Sequence, residues 1–225
     1  MMNATTTSAR VNDTRFHARI REDVERREGR LDEDVLEEMT RLFRAQRRRD
    51  GHRKATVAWL DRPLDDWLAN LDDGAVELSV DDMAAIAVGA HETLSIRDAL
   101  ILSMIADEES CPKTQLMEFA SRPQLARSKR RMCELLSAAF EDEGLVPDME
   151  RCQTGVIMLL DIACAVPPEL AVQPLAMVAY ALWWMGDEHA ILFATHCLAV
   201  DEECSLAAIV FSAINRGITP AWCAC

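Results

Sequence analysis

Glycine and proline are both scarce in this chain of 225 residues, eight of each, and they fall between apolar segments rather than within them. No run of β-branched residues alternates with polar ones, so the sequence offers no candidate strand. Eight cysteines (Cys111, Cys133, Cys152, Cys164, Cys197, Cys204, Cys223 and Cys225) form no CxxC pair. No window reaches the roughly 18 uninterrupted apolar residues that a membrane helix needs. The best candidate, Leu170 to Met185, is broken by Gln173 and Pro174. The opening, MMNATTTSARVND, lacks an apolar stretch of signal-peptide length, so the expected compartment is the cytoplasm, with reduced thiols. Basic side chains are outnumbered 24 to 38, and the formal charge of −14 disfavours general affinity for nucleic acid or anionic membrane. A nucleophile–base set, a glycine-rich phosphate loop and a DxD metal pair are all missing, so no cofactor and no catalytic residue is assigned.

What fills the chain is leucine, alanine, methionine, glutamate and arginine, the good helix formers. The reading is all-α, with stacked antiparallel helix pairs that become repeat-like toward the C-terminus. Residues 1–10 read as a disordered tail, 11–54 as a charged helical arm, 55–222 as the helical domain and 223–225 as a frayed tail. Between 10 and 54 the chain carries 14 basic and 11 acidic side chains, so the arm is locally positive in an acidic protein. It reads as two helices parted near Gly29. Its cluster RAQRRRDGHRK, residues 44–54, suits a helix end where Arg47, Arg48 and Arg49 meet the negative end of the dipole.

Beyond the arm, Pro63 is expected to open a helix. Ser79 and Asp82 form a capping-box pattern for a helix ending at Gly89. Thr93 or Ser95 caps the next, whose stripe is Ile96, Leu100, Ile101, Met104 and Ile105. Arg97 and Asp98, being adjacent, are not expected to face each other. A polar connection spans 107–123. Five more helices are expected at about 123–143, 148–165, 174–185, 187–200 and 203–216.

The segment LAMVAYALWWMGDEHAILFATHCLAVDEECSLAAIVFSAINRG resembles a tetratricopeptide repeat followed by the first helix of another. Leu175, Val178 and Leu182 take the large positions of the first helix and Ala179 the small one. Gly186 and Asp187 make the turn, and Ala190 and Cys197 take the small positions of the second helix. The turn after Gly186 is one residue short of the pattern, and Glu202 stands where the usual proline would be. More broadly, SVDDMAAIAVGAHETLSIRDALILSMI, then the segment above, then GITPAW, is similar to the C-terminal half of an actinobacterial family, domain of unknown function 4192, over about residues 55–222. Members are usually longer and begin with a strand-bearing half not seen in this sequence. The resemblance implies the helical fold and brings no reaction, cofactor or catalytic residue.

His189, His196, Cys197 and Cys204 crowd one stretch and raise the possibility of a metal site. Residues 189 and 196 are seven apart, so they lie roughly 10 Å apart along a helix axis. Ligands on one helix normally sit three or four apart, because a zinc–nitrogen bond is only about 2.1 Å. Cys197 also occupies a slot that wants a small apolar residue, so the thiols read as core filler. Asp161 is expected at a solvent edge, and Trp222 is expected to pack the tail onto the last helix. Trp183 and Trp184 lie about 100° apart on their helix, so one is core and the other is free to anchor a partner. The expected function is therefore non-catalytic binding of another protein or a second copy, with Trp183, Trp184, Glu188 and His189 as the contact set. The rival is an enzyme or a thiol or metal protein using His189, His196, Cys223 and Cys225. Nucleic-acid contact through residues 44–54 is a third reading.

Overall fold

A computed structural model describes residues 31–106 and 109–224, and every regular element among them is helical. The helices are α1 (Glu33–Asp50), α2 (His52–Asp73), α3 (Val80–Glu92), α4 (Leu94–Ile105), α5 (Lys113–Ser121), α6 (Ala126–Glu141), α7 (Met149–Ala165), α8 (Pro168–Trp184), α9 (Ala190–Val200) and α10 (Ser205–Asn215). A 3₁₀ turn, Ala221–Ala224, follows. The tail at 1–10, the arm's first helix and Cys225 lie outside the described residues. The arm's expected boundary at 54/55 falls inside α2. Leu36 and Phe43 of α1 belong to the common apolar core.

Helix pairs pack on one another, and α8 is their hub, touching α3, α4, α7, α9 and α10. Its composition explains this role. Ala176, Met177, Val178, Ala179, Ala181, Leu182 and Trp184 are all fully buried, so the helix is apolar around its circumference. Alanine at 176, 179 and 181 lets neighbouring backbones approach closely. Ala190 and Cys197 on α9 are likewise at 0 % exposure, the small-residue slots the sequence had suggested.

Several boundaries differ from the sequence reading. Helix α2 runs through Pro63 instead of starting there. Ala55 and Leu60 before the proline, and Leu64, Trp67 and Leu71 after it, bury the helix on both sides. That burial outweighs the roughly 3 kcal/mol an internal proline costs. Helix α8 similarly begins at Pro168 and passes through Pro174. The 107–123 connection contains α5, whose buried Leu116, Phe119 and Ala120 form too short a stripe to register as a period. Helix α3 continues past Gly89 to Glu92, and α9 starts at Ala190, three residues later than expected. The Ser79 cap is present: its Oγ accepts from the Asp82 amide at 3.1 Å and donates to the Asp82 carboxylate at 2.5 Å. The Arg62 guanidinium donates to the same carboxylate at 2.8 Å.

Arg97 and Asp98 do pair, against expectation. The long arginine stem folds back, so that Nε and Nη2 donate to Asp98 Oδ1 at 2.9 and 2.7 Å, while Nη1 reaches Gln173 of α8 at 3.1 Å. Backbone geometry separates adjacent Cβ atoms by 100°, but it does not limit where a four-bond side chain ends.

Candidate functional site

The stretch from Trp183 to Val200 is built around the α8–α9 turn. Gly186 takes φ = 76°, a left-handed conformation that glycine adopts without strain. The Asp187 carboxylate then accepts from the His189 amide at 2.8 Å and lies 2.7 Å from its Nδ1. Asp187 thus organises the first turn of α9 and fixes the orientation of the imidazole. His189 is half-buried, while Glu188 and His196 are exposed.

Both tryptophans are core, which corrects the expectation that one would stand free as an anchor. Trp184 has no exposed surface, and Trp183 retains 5 %. The indole N–H of Trp183 donates to the Ile218 carbonyl at 3.0 Å. Its ring is covered by Phe140 of α6, with centroids 4.7 Å apart, and neighbours Tyr180 at 5.6 Å. The covering helix comes from more than 40 residues upstream, so the sequence around the tryptophans held no sign of it. Trp222 also anchors the tail. Its indole N–H donates to the Trp184 carbonyl at 2.9 Å, seating the tail on the end of α8.

The cysteines of this stretch face inward. Cys197 is buried and its thiol donates to the Val172 carbonyl at 3.4 Å; Cys204 is 2 % exposed. Among the described residues, no three His, Cys, Asp or Glu side chains are grouped as a metal ion would require. Burial pushes the thiols of Cys152 and Cys197 up to about 12, which suppresses the nucleophilic thiolate. Exposed Cys133 should therefore alkylate faster than these buried thiols in the native protein at pH 8. Cys152 and Cys197 should label only after denaturation, as peptide mass spectrometry would show. Native labelling of Cys197 at the rate of Cys133 would contradict its role as packing.

Three arginines of the basic cluster, Arg44, Arg47 and Arg49, make contacts within the fold. Arg44 makes a two-pronged contact with the Glu92 carboxylate at 2.8 and 2.7 Å, and Arg47 donates to the Glu92 carbonyl at 3.0 Å. The Arg44 guanidinium holds the Glu92 carboxyl below its ordinary range. Arg49 pairs with Asp50 at 2.8 Å. Arg44 and Arg47 tie the end of α1 to the end of α3, where a cation also meets the negative pole of the helix dipole.

One open apolar surface among the described residues is the side of the α9–α10 pair turned away from α8. Ala190, Phe193, Ala194 and Cys197 face inward, which leaves Leu192, Thr195, His196, Ala199 and Val200 outside. On α10, Leu206, Ala207, Val210 and Ala213 are buried, while Ile209 and Phe211 are exposed. Leu192 is 62 % exposed and Ile209 56 %, with Val200 and Ile218 above 40 %. Acidic Asp201, Glu202 and Glu203 form the turn between the two helices. No helix of the described chain is long and apolar enough to cross a membrane. Compared with known protein families, curated proteins and solved structures, the chain matches none.

Proposed function

We propose that this chain is a helical binding module that works in the cytoplasm without chemistry of its own, through the outward side of α9–α10 and the Glu188–His189 turn that precedes it. The observation that carries the reading is the exposure of large aliphatic side chains, Leu192 and Ile209 foremost, on the last helix pair of the stack. In tetratricopeptide-like arrays the outer side of a terminal pair is where a further helix would bury apolar area, and that relationship is part of the proposal. The acidic 201–203 turn selects a partner segment that combines apolar side chains with lysine or arginine. A second copy of this chain would bring its own acidic turn against the first, which disfavours self-pairing. Trp183 and Trp184 act here from beneath, as the rigid support for the turn. The kinship with the domain of unknown function 4192 family, proposed on the same footing, would concern the helical scaffold alone.

The test places a photo-crosslinking amino acid at 192 or 209 of the full chain, with exposed position 37 of α1 as control. A single dominant adduct at 192 and 209, lost when the other position carries glutamate, is expected. Adducts no different from those at 37, or adducts of the chain with itself, would overturn the proposal.

A further inference from the structure

Three buried side-chain oxygens without a hydrogen-bond partner in the protein gather at one corner of the fold: Gln46 Oε1 of α1, Thr56 Oγ1 of α2 and Thr93 Oγ1 between α3 and α4. Thr56 has no exposed surface and Thr93 keeps 7 %. Buried polar atoms are usually satisfied, and exceptions call for an explanation. Helices α1 and α2 fold back on one another about Gly51, and the Phe43 and Trp59 rings, eight residues to either side of it, meet with centroids 4.5 Å apart. The same register sets Gln46 against Thr56, five residues to either side and about one turn nearer the corner. Trp59 also packs on α3. Its indole N–H donates to the Ala85 carbonyl at 2.9 Å, and a methyl group on Gly89 would lie 3.2 Å from the indole nitrogen. Thr93 follows Gly89 by one turn, with its amide donating to the Gly89 carbonyl at 2.9 Å. Although it stands at the N-cap of α4, its hydroxyl makes no capping bond there. The rim of the corner is made by Arg47, which donates to the Glu92 carbonyl at 3.0 Å, and by the Ala120 carbonyl. The latter accepts from Ser95 Oγ at 2.7 Å and lies against the His52 imidazole. Thr93 sits between Glu92 and Ser95, and Thr56 one turn after His52, so the same rim serves all three oxygens.

We infer that this corner is an internal hydration site, where one buried water donates to Gln46 Oε1 and exchanges hydrogen bonds with the Thr56 and Thr93 hydroxyls. Internal waters typically make about three hydrogen bonds to buried polar groups that the protein leaves unpaired, the number offered here. Charge sorts the other small ligands. A cation would meet the Arg47 guanidinium at the rim. An anion would find no excess positive charge, because the Glu92 carboxylate lies 4.0 Å from Arg47. Burial, with the Arg47 charge added, holds the His52 imidazole below its ordinary range, so it is uncharged at neutral pH. What suits the corner is a neutral molecule that both donates and accepts. Leu36 and Phe43 attach α1 to the core through non-directional apolar contacts. A water shared by α1, α2 and the α3–α4 junction fixes their register as well. This site is separate from the α9–α10 surface and stands or falls independently of it.

Thr56→Val and Thr93→Val in the full-length chain keep the side-chain shape and delete one hydroxyl each. Each should raise the unfolding equilibrium constant roughly two- to tenfold, the scale of one internal hydrogen bond. The double variant should show less than the product of the two factors, because both hydroxyls serve one water. Oxygen-17 relaxation dispersion of the solvent should count one long-lived water fewer in the double variant than in the parent. A valine at either position that leaves the unfolding constant unchanged, or lowers it, would overturn the inference, since deleting a buried hydroxyl that bonds nothing removes only its desolvation cost. Two factors that simply multiply would overturn the shared site. So would a parent and a double variant with equal counts of long-lived water. A crystal structure with an ion between the two hydroxyls, or with the hydroxyls bonded directly to each other, would overturn the assignment to water.

Discussion

Replacement of Trp184 by alanine should lower the stability of the chain by about 3–5 kcal/mol, the range for truncating a large buried aromatic. A fold of this size has about 5–15 kcal/mol in hand. Each kcal/mol lost shifts the midpoint by about 2–4 °C, so thermal unfolding should begin some 6–20 °C lower. The reasoning starts from position: Trp184 lies at 0 % exposure at the end of the hub helix, and its carbonyl receives the Trp222 indole. Alanine leaves a cavity in the core at the end of α8, while the backbone carbonyl of residue 184 can still accept from the Trp222 indole. Phenylalanine at the same position should cost markedly less. It keeps most of the apolar volume and removes an indole N–H that has no partner in the protein. Removal of an unsatisfied buried donor offsets part of the lost packing. Chemical denaturation of the three proteins side by side is the measurement. A Trp184→Ala protein within 1 kcal/mol of the parent would mean that the hub helix is not packed as described. The same comparison guards binding experiments, because loss of an interaction in an unfolding variant says nothing about an interface.

The helical class, the α8–α9 turn at Gly186 and the small-residue slots at Ala179, Ala190 and Cys197 were legible because they depend on local periodicity and residue size. These are properties a short window contains. The two prolines misled for the opposite reason. Pro63 and Pro174 sit in helices whose persistence depends on apolar faces contributed by distant segments, so the local signal for a helix start was overridden by packing. The tryptophans show the same division more sharply. That their side chains diverge by about one helical step could be read from adjacency. That both are covered could not, because Phe140 and Ile218 reach Trp183 from 43 residues upstream and 35 downstream. The open side of α9–α10 was partly visible: Leu192, Val200 and Ile209 are apolar positions that the inward stripe leaves unused. Only the placement of α8 shows which stripe is inward.

Gly155 provides the second strong prediction. It is the place where α7 crosses the rest of the core, and a methyl group there would lie 2.4 Å from Met104 Sδ, 2.8 Å from Met104 Cγ and 3.4 Å from Leu71 Cδ2. In an isolated helix, alanine in place of glycine would help by about 1 kcal/mol. Here the sign reverses. A methionine side chain can often swing aside, but Met104 is 1 % exposed, so any swing must displace core neighbours. Overpacking of this kind typically costs about 1–3 kcal/mol, so Gly155→Ala should be net destabilising despite its better helix propensity. The decisive measurement is a double-mutant cycle with Met104→Ala. Alone, Met104→Ala opens a cavity and should cost about 2–5 kcal/mol. Combined with Gly155→Ala, it supplies the room the new methyl lacks, and the new methyl fills part of the void. The two changes should therefore cost less together than the sum of the singles by about 1 kcal/mol or more, the scale of coupling seen between residues in contact. Additivity within a few tenths of a kcal/mol would show that α7 and α4 do not meet at Gly155, and the close crossing of the two helices would have to be abandoned.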